Sequence, residues 1–174
     1  MVAKKIKLDK IKTLLIIFFF SFLSCTFNTN TFKNSNIETV SPPVFNPNNY
    51  DKIGFACGEG GEGTALVDEF AKLITDKNYK QLRAGLYSPN PGVVYLATIS
   101  CEKLAEERLI KLNGEELEQI EKNRHKSDTI YTCSGCTNSE YFTVKQLLSD
   151  TTNYIRTEAG WWFDAVLGKN IIVE

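Results

Sequence analysis

The sequence predicts an all-α fold: a compact, orthogonal helical array of about five to six helices, preceded by a disordered N-terminal tether. Three observations predict it. Beyond position 64 the apolar residues recur at helical spacing. Helix starts and stops, such as Thr64, Asn90-Pro91 and Asn113-Gly114, punctuate that stretch at helix-length intervals. Thr26 to Tyr50, by contrast, has no period and holds seven Asn and three Pro with only two charges, Lys33 and Glu38. Such a composition cannot bury enough surface to offset chain entropy.

Taken in order, Thr64 caps a first helix that places Leu66, Val67, Phe70, Leu73 and Ile74 on one side; Asp76-Lys77-Asn78 ends it. A second helix, about Tyr79 to Tyr87, groups Tyr79, Leu82 and Leu86. Asn90 then caps a third helix with Pro91 at its first position, where proline lacks only an N–H that would be unpaired anyway. This helix runs to about Glu107 and is apolar almost all round, from Val93 to Ala105, which marks it as the central buried element. Asn113-Gly114 opens a fourth, about Glu115 to His125, with Leu117 and Ile120 inward. Thr129 to Tyr141 reads as a loop or short extended piece. Phe142 to Leu148 and Asn153 to Leu167 read as closing helices, and Asn170-Ile171-Ile172-Val173 as a short strand or apolar strap.

The stretch LRAGLYSPNPGVVYLATISCEKL, Leu82 to Leu104, resembles a HEAT or armadillo helical hairpin, the likeness extending over about residues 66–109. It implies a compact HEAT-like array. No second copy of the unit appears, so a long solenoid is not expected.

The N-terminus carries an address. Lys4, Lys5, Lys7, Lys10 and Lys12 precede an apolar block, Thr13 to Ser24, of twelve residues. A transmembrane helix needs about 20, so the block fits a signal-peptide core. The run Phe22-Leu23-Ser24-Cys25 resembles the lipobox of bacterial lipoproteins. That resemblance implies cleavage after residue 24, lipidation of Cys25 and a cell-envelope location. More than one acyl chain makes such anchoring stable. Thr26 rather than Asp after the cysteine implies the outer membrane. The expected organisation is residues 1–24 as signal peptide, 25–50 as lipidated Cys25 and tether, and 51–174 as the helical domain. Removing five lysines and one aspartate from 20 basic and 21 acidic residues leaves 15 and 20, a net charge of −5. A mildly acidic domain has no electrostatic reason to bind nucleic acid.

Chemistry-bearing motifs are sparse. Gly58-Glu59-Gly60-Gly61-Glu62-Gly63 matches the glycine spacing of a dinucleotide loop. Two glutamates stand where a pyrophosphate would lie, and no βαβ unit follows, so a plain glycine loop into a helix is expected. His125, the single histidine, sits at the end of a polar helix as a solvent-facing group. Cys133-Ser134-Gly135-Cys136 suits a structural disulfide, a redox pair or half of a metal site. One disulfide is expected among Cys57, Cys133 and Cys136. The local Cys133–Cys136 bond is preferred over one from Cys57 to that pair, and Cys101 is expected to be a buried, inert thiol. Trp161 and Trp162 with Tyr154 form a candidate binding surface. No catalytic set, metal site or cofactor is expected. The function expected is an anchored, non-catalytic binding or scaffold module with a protein partner in the envelope, such as an accessory subunit or an immunity protein. The alternative is an envelope thiol-redox or metal-binding protein using Cys133 and Cys136.

Overall fold

The computed structural model describes residues 52–169. The signal segment, Cys25, the tether and the C-terminal strand or strap at 170–173 lie outside the described residues. Among the described residues, six α-helices and three strands follow in the order β1 (Lys52–Ile53), α1 (Ala65–Thr75), α2 (Tyr79–Ala84), a 3₁₀ turn (Gly85–Tyr87), α3 (Pro91–Glu106), α4 (Gly114–Arg124), β2 (Thr129–Ser134), β3 (Asn138–Thr143), α5 (Val144–Ser149) and α6 (Tyr154–Val166).

The helical half is organised around α3. Asn90 Oδ1 accepts from the N–H groups of Gly92 and Val93 at 2.9 and 3.1 Å, with Pro91 opening the helix. Every residue from Gly92 to Cys101 is buried. The 3₁₀ turn approaches α3 so closely that a Cβ on Gly85 would stand 2.9 Å from Ala97 Cβ. Both α1 and α3 end on a non-glycine residue in the left-handed region, Lys77 at φ 55° and Arg108 at φ 59°. Asn78 N–H then bonds Leu73 O and Leu109 N–H bonds Leu104 O, closing the last carbonyls of each helix.

The inward face of α4 differs from the expected one. Leu117 is 54% exposed, whereas Glu116, Ile120 and Asn123 are buried. Asn123 is fully enclosed and satisfied: its amide donates to Leu86 O and Thr98 Oγ1, both at 3.1 Å, and accepts from Gln119 Nε2 at 3.0 Å. A buried amide is tolerated when its partners are met, and this one pins α4 to the 3₁₀ turn and to α3.

The fold is not all-α, which corrects the expected HEAT-like or orthogonal helical array. A three-stranded mixed sheet in the order β1-β2-β3 packs with the helices. β1 runs parallel to β2, pairing Lys52 with Tyr131 and Ile53 with Thr132. β2 and β3 form an antiparallel hairpin from Thr129 opposite Thr143 to Ser134 opposite Asn138. The segment expected to be a loop or extended piece is thus the heart of the sheet. Its residues Thr-Ile-Tyr-Thr-Cys-Ser are β-branched or aromatic at four of six positions, as a strand requires. β3 continues through Phe142 and Thr143, so the following helix starts later than expected; the Thr143 side chain accepts from Gln146 N–H and begins it.

Candidate functional site

The sheet meets the glycine-rich segment at one corner. Cys57 and Glu62 exchange backbone hydrogen bonds at 2.8 and 3.1 Å, making residues 57–62 a tight hairpin. Gly58 N–H donates to Gly135 O at 2.9 Å, and Gly135 N–H donates to Ala56 O at 2.7 Å. The N–H groups of Cys57, Gly58, Gly61 and Glu62 are therefore paired with backbone carbonyls rather than arrayed around an anion. Thr64 stands at the N-cap of α1 without capping it; its hydroxyl accepts from Gly54 N–H at 3.4 Å.

This arrangement brings Cys57 beside Cys133, with Cα atoms 5.6 Å apart, and the two are disulfide-bonded. The preferred Cys133–Cys136 bond is corrected. Parallel pairing of β1 with β2 delivers the chain of Cys57 to the end of β2, within the 4.4–6.8 Å Cα range a disulfide needs. Gly54 lies beneath the bond: a Cβ there would overlap Cys57 Sγ, Cys133 Sγ and Cys133 O. Cys136 is a free, exposed thiol. Cys101 is free and buried on α3, and burial pushes its thiol up to about 12, with nearby Glu116 adding to the rise.

The aromatic residues of α6 do not form one platform. The Trp162 ring stands 5.4 Å from Phe55 and 4.6 Å from Phe163, half-buried at the domain's own packing. Tyr154 sets its ring 6.1 Å from Phe142, and its hydroxyl lies 3.4 Å from Thr132 Oγ1. Trp161 is 60% exposed. Adjacent helix positions point about 100° apart, so one tryptophan turns inward while the other meets solvent. On the same helix, Glu158 Oε1 accepts from Ser134 Oγ, and its Oε2 is buried without a partner among the described residues.

The open aromatic surface lies on the sheet instead. Tyr141 is 72% exposed and its ring centroid is 4.8 Å from that of Tyr131. Lys52 Nζ sits 5.6 Å from the Tyr131 ring, a cation–π distance. These rings border a groove of ≈ 290 Å³ against the start of α3, formed with Asn90, Pro91 and Gly92. β3 occupies one edge of the sheet, and Asn138 to Tyr141 are exposed along it. A strand-rich aromatic surface was readable from Tyr131 and Tyr141 only once Thr129–Thr143 was recognised as a hairpin.

A second cleft, ≈ 480 Å³, lies between α2 and the start of α4. Tyr79, Arg83 and Tyr87 share one side of it. Arg83 Nη1 meets Glu116 Oε1 at 3.3 Å and Nη2 donates to Lys111 O at 3.2 Å. Glu116 also accepts from Asn113 N–H at 2.8 Å in a capping box. Burial, then Glu116 and Glu115, raise the Tyr87 phenol above its usual range. His125 closes α4 at the surface, 3.1 Å from Glu121 Oε1. Among the described residues no group of three or more His, Cys, Asp and Glu side chains is placed to hold a metal ion. Among the same residues no helix is long and apolar enough to cross a membrane. No protein-family model matches the chain, and no curated protein or solved structure matches it at a significant level.

Proposed function

We propose that the chain is a lipid-anchored protein of the bacterial envelope whose folded domain is a non-catalytic binding module. The lipobox-like run ending at Cys25 supports the anchor. The observation that carries the binding role is the exposed Tyr141 ring stacked against half-buried Tyr131 with Lys52, set on a hairpin whose outer strand is a sheet edge. Tyrosine gives a large contact area at low entropic cost, and an edge strand offers unpaired backbone groups to an added strand. The partner this surface fits is an envelope protein presenting an extended segment, not a nucleic acid, because the surface gathers no cluster of cations.

Site-specific photo-crosslinking in cells tests it. A photoreactive phenylalanine analogue replacing Tyr141 should give a discrete adduct with an envelope protein, and the same residue at Glu118, on the outer face of α4, should give none. Equal labelling from both positions, or none from Tyr141, rejects the binding face. The anchor is tested separately: Cys25→Ala should move the protein from the membrane to the soluble fraction.

A further inference from the structure

Among the described residues no strand pairs with the outer side of β3. Sheet edges are commonly blunted by lysine, proline or a bulge, because their unpaired N–H and C=O groups otherwise recruit another strand. β3 has none of these. It reads Asn-Ser-Glu-Tyr-Phe-Thr, and its pairing with β2 runs residue for residue from Ser134–Asn138 to Thr129–Thr143. Asn138, Ser139, Glu140 and Tyr141 are all exposed. The edge is open to an added strand.

Its two sides differ in chemistry. Alternate residues of a strand point to opposite sides of the sheet. Tyr141 shares the side of its cross-strand partner Tyr131, where the two rings meet and Lys52 approaches. Glu140 shares the other side with Thr132 and Ser134. On that side Ser134 Oγ donates to Glu158 of α6, whose Oε2 is buried without a partner among the described residues. Among the same residues neither Glu140 nor Glu158 makes an ion pair. From Thr129 to Thr143 the hairpin holds no Lys or Arg. One side of the edge is therefore aromatic, and the other carries carboxylates that nothing neutralises.

Resting on the binding face proposed above, we infer that the partner's segment is a basic, alternating β-strand that adds to β3. It sets a Lys or Arg beside Glu140 and a β-branched or aromatic side chain beside Tyr141. In strand addition the backbone bonds give affinity and the alternate side chains give specificity. Opposite charges and aromatic–β-branched pairs are favourable cross-strand neighbours, and like charges directly opposed are not. An acidic strand therefore meets repulsion at Glu140. A strand with its basic and apolar residues in separate blocks satisfies only one side of the edge, because alternation is what sends the two kinds of side chain to opposite sides.

Three fluorescein-labelled peptides decide it by anisotropy with the full chain in detergent: Lys-Val-Lys-Val-Lys-Val-Lys, Glu-Val-Glu-Val-Glu-Val-Glu, and the blocked Lys-Lys-Lys-Lys-Val-Val-Val. The alternating basic peptide should bind about tenfold more tightly than either of the others. Glu140→Lys should reverse the order of the two alternating peptides, and Glu140→Gln should bring them close together. Both variants change an exposed side chain, so the thermal transition should stay in place. Equal binding of the blocked and alternating basic peptides shows mere charge attraction and overturns the inference. So does an order that Glu140→Lys leaves unchanged, or binding of none of the three. A dimer in sedimentation velocity that Tyr141→Asp abolishes also overturns it, since a second copy then covers the edge. Photo-crosslinking from Tyr141 keeps the two claims apart: an adduct there together with equal affinity for the acidic and basic peptides retains the binding face and rejects only the basic strand.

Discussion

The helix α3 and the sheet corner are held by opposite means. Around α3 the ordering force is burial: ten consecutive residues are out of water, and the one buried amide nearby, Asn123, has every hydrogen bond met. At the corner, β1 is two residues long and buries a single side chain fully, Ile53. A strand that short cannot hold itself by ladder bonds. The Cys57–Cys133 bond, the backbone bonds through Gly135 and the glycine beneath them take its place. The same chain thus uses non-directional apolar packing in one half and covalent, directional ties in the other. The tied half carries the exposed Tyr141 ring and the free Cys136 thiol.

Breaking the burial should have the largest effect. Leu96→Asp or Ala97→Asp places an unpaired charge where exposure is zero. An unpaired buried charge costs several kcal/mol against a total stability of about 5–15 kcal/mol, so either variant should lack a cooperative thermal transition. Breaking the covalent tie comes next. Cys57→Ser with Cys133→Ser opens a loop with a sequence separation of 76. The chain-entropy account gives about 4 kcal/mol for a loop of that size. Hydrogen exchange should rise at β1, the hairpin 57–62 and β2 well before α3; uniform acceleration would show that the two regions are one unit. Asn123→Ala is smaller. It leaves Leu86 O and Thr98 Oγ1 without their donor, and should cost about 1–3 kcal/mol in urea unfolding.

The last effect vanishes at neutral pH and is alkaline. Cys101 keeps its proton in the folded protein up to about 12, against 9.0 ordinarily. The unfolded chain loses that proton first, so stability is whole below about pH 9 and erodes as pH climbs toward 12. The slope from this one group is about 1.4 kcal/mol per pH unit. Burial raises the Tyr95 phenol in the same direction, so the background also slopes. Cys101→Ala should flatten urea-unfolding stability measured between about pH 9 and 11 relative to the parent. Identical slopes would show that the thiol is not enclosed as described.

The two halves were also unequally legible. α3 announced itself through Asn90, Pro91 and an unbroken apolar run, each a local signal that the structure uses locally. The sheet depends on a pairing that no window of sequence contains: Lys52 and Ile53 meet Tyr131 and Thr132 across four intervening helices. Two residues show no period, so β1 has no local signal, and without it Thr129 to Tyr141 reads only as a loop or short extended piece. The disulfide preference failed for the same reason, since only the parallel pairing brings Cys57 to Cys133. In α4, pattern reasoning turned Leu117 inward because it is apolar. Glu116 and Asn123 hold the inward positions instead, through hydrogen bonds that hydropathy does not register. The aromatic run on α6 was visible, but which tryptophan would be covered depended on Phe55, contributed by the segment that sequence periodicity left unassigned.

The position of the disulfide also decides where tension travels. A pull on the chain ahead of Lys52 reaches Cys57 within a few residues and crosses to Cys133 through a covalent bond. From there it enters the β2–β3 hairpin, which carries the exposed Tyr141. Helices α1 to α4 lie inside the closed loop and off that line of force. Load applied between the chain's N-terminal side and anything gripping the hairpin is therefore borne by sulfur and strand, while the helical core stays slack.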